Sequence, residues 1–95
     1  VRNVSLHPEN ATLEGNGVKI TLRNKEAAIL EILMSKANVA HSAQDLLTAV
    51  WPADTEPKVA SVRVWINFLR QKLEQVGAAD LIETIPGYGY MIRAD

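Results

Sequence analysis

The basic side chains of segment 58–76 are the residues of this chain whose type and spacing could do chemistry. Lys58, Arg63, Arg70 and Lys72 lie there against a single glutamate, a local excess of three positive charges. Clustered cations bind phosphate groups, because each neutralised phosphate releases bound counterions. The whole chain of 95 residues has a net charge of −1, which argues against binding nucleic acid through bulk charge. Recognition of a polyanion would therefore depend on this segment.

The same segment has the periodicity of an amphipathic helix. Apolar residues at three- and four-residue steps define its buried side: Val59, Val62, Ile66, Leu69, Leu73 and Val76. At 100° per residue the opposite face carries Ala60, Val64, Asn67, Phe68, Gln71 and Gln75, flanked by Arg63 and Arg70 on one side and by Ser61, Trp65 and Lys72 on the other. Solvated helices rarely expose Val, Trp and Phe together. We therefore predict that a partner or another part of the chain covers this face.

Catalysis and metal binding have little support in the sequence. His7 and His41 lack a second ligand at the spacing that a metal site on one element requires, and there is no cysteine. The serines have no nucleophile-elbow context, and the glycine-rich segments 15–17 and 87–89 do not open onto a helix as a phosphate loop does. We predict that the chain is not an enzyme and binds no metal or cofactor.

Local signals in the first part of the chain predict an antiparallel sheet. The step Asn16-Gly17 separates short runs over 11–14 and 18–22, and this pattern is typical of a β-hairpin because both residues tolerate positive φ. Residues 3–6 predict a further short strand. The chain is therefore expected to begin with β-structure.

Three helices and a second hairpin are predicted to follow. Apolar spacing indicates a first helix over 24–37, and Ser42 with Asp45 three residues later is typical of the capped start of a second. Pro52 ends that helix, and Gly77 ends the third one after segment 58–76. Strands over 81–85 and 90–93 would then pair through the glycine-rich turn 86–89.

Together these elements predict an α+β fold made of one domain over residues 1–95. The longest apolar stretch is far shorter than a bilayer span, and the N-terminal residues lack the order of a signal peptide. We expect a cytoplasmic protein in which residues 1–95 make no membrane contact.

The order and spacing of these residues resemble the winged-helix DNA-binding output domain of OmpR/PhoB-type response regulators. The likeness spans four segments: Leu22, Glu26, Ile29 and Leu30 in the first helix; Ser42, Leu46, Leu47, Val50 and Trp51 in the second; 62–66 with 69–73 in the recognition helix; and Ile82, Thr84, Gly87, Gly89 and Tyr90 in the wing. It implies a winged helix-turn-helix with an N-terminal antiparallel sheet, three helices and a C-terminal β-hairpin wing.

The resemblance also implies partners and contact residues. Two copies would bind a repeated site on duplex DNA, with the third helix in the major groove and the wing on the minor groove or backbone. Ser61, Val64, Asn67 and Phe68 would face bases, and Lys58, Arg63, Trp65 and Arg70 would face the backbone; Lys72, Tyr88 and Arg93 complete the DNA-binding set. Asp54, Thr55 and Glu56 would form a loop that faces RNA polymerase.

Several positions differ from the family pattern. Phe68, Trp65 and Arg63 stand where the family commonly has Arg, His and Asp, and Pro86 replaces a usual wing Arg. Arg23 replaces a capping Thr, so Asn24 is expected to cap the first helix instead. Aromatic residues at the centre of an exposed face are also typical of protein interfaces. The alternative function is therefore a winged helix that binds a protein through this face, with little or no DNA binding.

Overall fold

The computed structural model describes residues 3–51 and 58–93 and contains three helices and two small sheets. The elements in chain order are β1 (Val4–His7), β2 (Thr12–Gly15), β3 (Val18–Thr21), α1 (Asn24–Ser35), β4 (His41–Ser42), α2 (Ala43–Val50), α3 (Val59–Gln75), β5 (Ile82–Ile85) and β6 (Gly89–Ile92). This order confirms the predicted winged-helix architecture.

The N-terminal sheet is antiparallel with the order β1-β2-β3. Its second turn places Asn16 at φ 53° and Gly17 at φ 75°, the left-handed conformations that a two-residue hairpin turn requires. The register pairs Gly15 with Val18, so Gly15 belongs to the strand rather than to the turn. The Asn-Gly signal was therefore sufficient to predict this hairpin.

The first two helices begin with different caps. Ser42 accepts a hydrogen bond at Oγ from the Asp45 backbone N–H at 3.0 Å, as predicted. The expectation that Asn24 caps α1 is wrong, because Arg23 is the N-cap residue and Asn24 is the first helical residue. The Arg23 backbone N–H instead donates to Glu26 Oε1 at 2.7 Å, so a carboxylate from the first turn satisfies this N–H.

The third helix ends as its sequence predicts. Gly77 has φ 75°, its N–H donates to the Glu74 carbonyl at 3.1 Å, and the Ala78 N–H donates to the Leu73 carbonyl at 2.8 Å. These two bonds form a Schellman motif, which requires a residue that tolerates the left-handed conformation.

A short strand that the sequence did not predict connects the wing to the helices. β4 pairs with β6 in a second sheet of order β4-β6-β5, with His41 opposite Tyr90 and Ser42 opposite Gly89. A Cβ at Gly89 would collide with the His41 carbonyl oxygen, so only glycine fits this position. The start of α2 and the wing are thus held as one unit.

The hydrophobic core lies between the three helices and the two sheets. Leu30 and Leu33 of α1 and Leu46 of α2 are fully buried, as are Ile66 and Leu69 of α3. Within the described residues, no helix is both long and apolar enough to cross a membrane.

The predicted buried side of α3 is confirmed from Val62 to Val76. Val59 is the exception, because its side chain in the first turn is 46% exposed beside the wing. The prediction that Val59 belongs to the buried side of α3 is therefore wrong. Because the side from Val62 to Val76 packs on the core, the opposite side of α3 faces outward.

Candidate nucleic-acid interface

The outward face of α3 is a ridge of uncharged side chains. Val64 is 48% exposed, and Asn67 and Gln71 next to it are exposed as well. Neither amide side chain has a hydrogen-bond partner among residues 3–51 and 58–93. The ridge therefore offers one methyl-bearing surface and two side chains that can both donate and accept hydrogen bonds.

The wing lies beside α3, with its tip near the first turn of this helix. Tyr88 at its tip is 51% exposed, while its carbonyl accepts from the Ala43 backbone N–H at 3.1 Å. A shallow depression of about 270 Å³ separates the wing from α2 and α3, lined by residues that include Val59, Thr84 and Tyr90. The Tyr88 ring is thus presented to solvent from a backbone that is tied to the start of α2.

Two of the predicted DNA-binding cations are exposed. Arg63 is exposed on the side of α3 that faces the wing, and Lys58 is exposed at its N-cap. Neither has an ion-pair partner in the described part of the chain. Ser61 is half-buried in the first turn of the helix, close to Lys58. A positive charge is therefore available near the start and on one flank of the ridge.

Arg70 is committed to the joint between α3 and the wing. Its Nη2 donates to the Ile82 carbonyl at 2.9 Å and to Thr84 Oγ1 at 2.8 Å, and its guanidinium lies 5.9 Å from the centroid of the Tyr90 ring. Arg70 was predicted to contact the DNA backbone, and in this structure its side chain links α3 to the wing. Local sequence patterns do not predict this role of Arg70, because its partners lie 12 and 14 residues away.

Lys72 points into the protein. Its Nζ lies 3.1 Å and 3.4 Å from the two carboxylate oxygens of Glu26, whose side chain is fully buried in α1. Lys72 was predicted to lie on a DNA-facing flank, and in this structure its ammonium group neutralises a buried carboxylate. The residue that sequence reasoning missed here is Glu26, which also caps α1.

Arg93 lies across the wing from Glu83, and the two side chains form an ion pair. The pair is exposed, so both groups keep contact with solvent. Because the glutamate cancels its charge, Arg93 adds little net positive potential to the wing.

The aromatic residues of α3 are covered by another part of this chain. Trp65 and Phe68 meet edge to face with ring centroids 5.5 Å apart, and Trp65 packs against the core. The Arg23 guanidinium lies over both rings, 4.9 Å from the Phe68 centroid and 5.7 Å from that of Trp65. The predicted cover is therefore found over the two rings, where Arg23 lies, whereas Val64 on the same face stays 48% exposed. Less apolar surface remains for a protein partner than the sequence indicated.

The two histidines lie in different sheets. His7 Nε2 lies 3.1 Å from Glu14 Oε1, whereas His41 Nε2 is buried without a hydrogen-bond partner among the described residues. The described residues contain no group of three or more side chains suited to hold a metal ion. Asp54, Thr55 and Glu56 of the predicted polymerase-facing loop lie outside the described residues.

A helix with an exposed polar ridge, supported by two packed helices and followed by a β-hairpin, defines a winged-helix domain. Comparison with known proteins gives the family. Residues 17–92 match the model of the family described as "Transcriptional regulatory protein, C terminal", and the chain belongs to this family, the OmpR/PhoB-type winged-helix DNA-binding domains of transcription regulators.

Individual relatives agree with this assignment. The transcriptional regulatory protein CutR of Streptomyces coelicolor is 37% identical over 89 residues, which cover 94% of this chain and 40% of CutR. The chain thus spans less than half the length of this relative.

Solved structures with the same fold have lower identity. The C-terminal domain of the nisin resistance regulator NsrR superposes with a TM-score of 0.81 at 27% identity, covering 95% of this chain and 90% of that one. The DNA-binding domain of Bacillus subtilis CssR gives 0.80 at 26% identity, covering 94% and 98%.

Proposed function

We propose that this domain recognises a preferred duplex DNA sequence as the output domain of a bacterial two-component transcription regulator, with α3 in the major groove. The exposed ridge of Val64, Asn67 and Gln71 is the observation that carries the proposal. The major groove of B-DNA, about 12 Å wide, admits an α-helix and displays a distinct pattern of donors, acceptors and methyl groups for each base pair. The ridge supplies groups of matching chemistry.

Each side chain of the ridge has a definite complement. The amides of Asn67 and Gln71 can pair with the N6 and N7 edge of adenine, and Val64 fits against a thymine methyl group. Such contacts favour sites rich in A·T pairs at the centre of each half-site. No cation is needed for this part of recognition, which agrees with the uncharged character of the ridge.

Phosphate contacts would fall to Lys58 and Arg63. Each neutralised phosphate contributes a slope of about −0.9 to the dependence of log K on log salt, so two contacts give about −1.8 per bound copy. Between ~50 and ~200 mM salt the association constant should therefore fall about 12-fold. Tyr88 at the wing tip, whose side chain is exposed, would touch the sugar-phosphate backbone beside the same groove.

Further parts of the proposal concern the whole regulator. We infer that two copies occupy a repeated site and that the loop with Asp54, Thr55 and Glu56 faces RNA polymerase. The same function implies a cytoplasmic location, and it requires no catalysis. The family supports this interpretation.

The test is a fluorescence-anisotropy titration against a random duplex pool at both salt concentrations, followed by selection of a preferred sequence. Binding that weakens about 12-fold or more, together with an enriched A·T-containing motif, would support the proposal. Folded protein that binds no duplex at either salt concentration would refute it. The Trp65 and Phe68 face would then be tested as a protein-binding surface.

A further inference from the structure

Arg23 lies outside α3 and the wing, yet its side chain lies against the outward-facing part of α3. Its backbone forms the N-cap of α1, and its side chain is exposed. The guanidinium rests over Phe68 and Trp65, at 4.9 Å and 5.7 Å from the ring centroids. A residue from the first helix therefore brings a positive charge to the third.

The position of this charge follows from the geometry of α3. Trp65 and Phe68 lie on the flank that faces α1, which is the side on which Lys72 reaches Glu26. Arg63 lies on the opposite flank, together with Arg70, which reaches the wing. Arg23 and Arg63 thus place one cation on each side of the uncharged ridge.

We propose that Arg23 is a phosphate-binding residue of this domain, held by Trp65 and Phe68 so that it contacts the DNA strand on the α1 side of the major groove. The inference rests on the proposed function. A helix in the major groove has a phosphate backbone on either side, and on the α1 side Arg23 has no carboxylate partner among the described residues. Lys72 on that side is already paired with Glu26.

The two rings suit an arginine to this task. A guanidinium group is attracted to the faces of aromatic rings, and it carries five N–H donors, more than contact with the rings requires, so donors are left to bind a phosphate. The two rings, which meet at 90°, also restrict the rotamers of a long side chain and reduce the entropy lost on binding. A lysine keeps the charge without the guanidinium group, and a glutamine removes the charge.

The quantitative consequence concerns salt dependence. Arg23 raises the expected number of phosphate contacts per copy from two to three, and the slope from about −1.8 to about −2.7. Between ~50 and ~200 mM salt the association constant should then fall about 40-fold instead of about 12-fold. Replacing Arg23 by Gln should return the slope to about −1.8 and weaken binding at low salt about 10-fold.

Lys36 provides the matched control. It is an exposed cation at the other end of α1, about 20 Å from Arg23 by helix rise, and it has no ion-pair partner among the described residues. Lys36→Gln removes the same charge beyond a Debye length of about 10 Å, so its slope should equal that of the unmodified chain. Arg23→Lys should keep most of the slope, because the cation remains.

The experiment measures anisotropy with a fixed duplex at four or more salt concentrations for the unmodified chain and the three variants, with urea unfolding of each. A loss of about 0.9 in slope for Arg23→Gln alone supports the inference. An unchanged slope for Arg23→Gln overturns it, even if that variant is less stable, because Arg23 then only covers the rings. An equal loss for Lys36→Gln also overturns it. Absence of salt-dependent binding by the unmodified chain refutes the proposed function, and this inference with it.

Discussion

Replacing Lys72 by Met should strongly destabilise the domain without changing its phosphate contacts. The Glu26 side chain is fully buried, the Lys72 side chain is 26% exposed, and their atoms approach to 3.1 Å. At an effective dielectric constant near 20 the direct attraction at this distance is about 5 kcal/mol. Removing one partner from a buried pair costs about 3 to 5 kcal/mol, since a carboxylate remains without its counter-charge.

The structure favours the lower end of that range. Glu26 Oε1 still accepts the Arg23 backbone N–H at 2.7 Å after the lysine is lost, so the carboxylate keeps one donor. We expect Lys72→Met to lower the free energy of unfolding by about 3 kcal/mol. A domain of this size has a total stability of about 5 to 14 kcal/mol, so the loss should be plain in urea.

A double-mutant cycle separates the ion pair from general packing effects. Glu26→Gln alone should cost about 1.5 kcal/mol, because the amide oxygen still accepts from Arg23 and the lysine can turn toward solvent. The double variant should cost about 2 kcal/mol, which leaves a coupling of about 2.5 kcal/mol between the two residues. Lys36→Met is the exposed control and should change stability by less than about 0.5 kcal/mol.

The assay is urea unfolding at pH 7 followed by far-ultraviolet circular dichroism and tryptophan fluorescence, with the salt slope of DNA binding measured for each folded variant. A cost under about 1 kcal/mol for Lys72→Met, with an unchanged m value, would contradict the stabilising role of the ion pair. A loss of about 0.9 in salt slope for that variant would also contradict it, because the ammonium would then contact a phosphate.

Three further predictions concern the wing and the ridge. Arg70→Met should lower the free energy of unfolding by about 2 kcal/mol, because its two hydrogen bonds to the wing are lost, and it should weaken DNA binding. Urea unfolding and fluorescence anisotropy measure these two effects. A variant with unchanged stability would contradict the role of Arg70 in joining α3 to the wing. Gly89→Ala should lower the free energy of unfolding by about 3 kcal/mol, because the added Cβ meets a β4 carbonyl. Gly87→Ala, at φ 72° with open space around it, should lower it by about 1 kcal/mol. Equal losses in urea unfolding would argue against the close approach of β4 and β6. Asn67→Ala should change the preferred sequence in a selection experiment, with about 1 to 3 kcal/mol of binding free energy lost at one base pair. Arg63→Ala should weaken binding to all sequences alike. A uniform loss from Asn67→Ala would exclude base recognition by that amide.

Most elements of the fold could be predicted because their signals are local. The Asn16-Gly17 turn, the Ser42 cap and the Gly77 stop each depend on a few neighbouring residues and on backbone angles that those residues favour. The buried side of α3 followed from helical periodicity. β4 escaped prediction because two residues carry no periodic pattern, and the strand forms only where β6 lies next to it.

The candidate site likewise has residues whose placement could be predicted from the sequence and residues whose roles could not. Helical periodicity was enough to predict that Val64, Asn67 and Gln71 face outward, since the core fixes the rotation of an amphipathic helix. The roles of the charged side chains became visible only in the folded molecule: Arg70 holds the wing, Lys72 neutralises Glu26, and Arg23 reaches α3 from another helix. These roles depend on how far a long side chain can reach. A long flexible side chain pairs with whichever group the fold brings near, and that group lies 12 or more residues away in each of these cases.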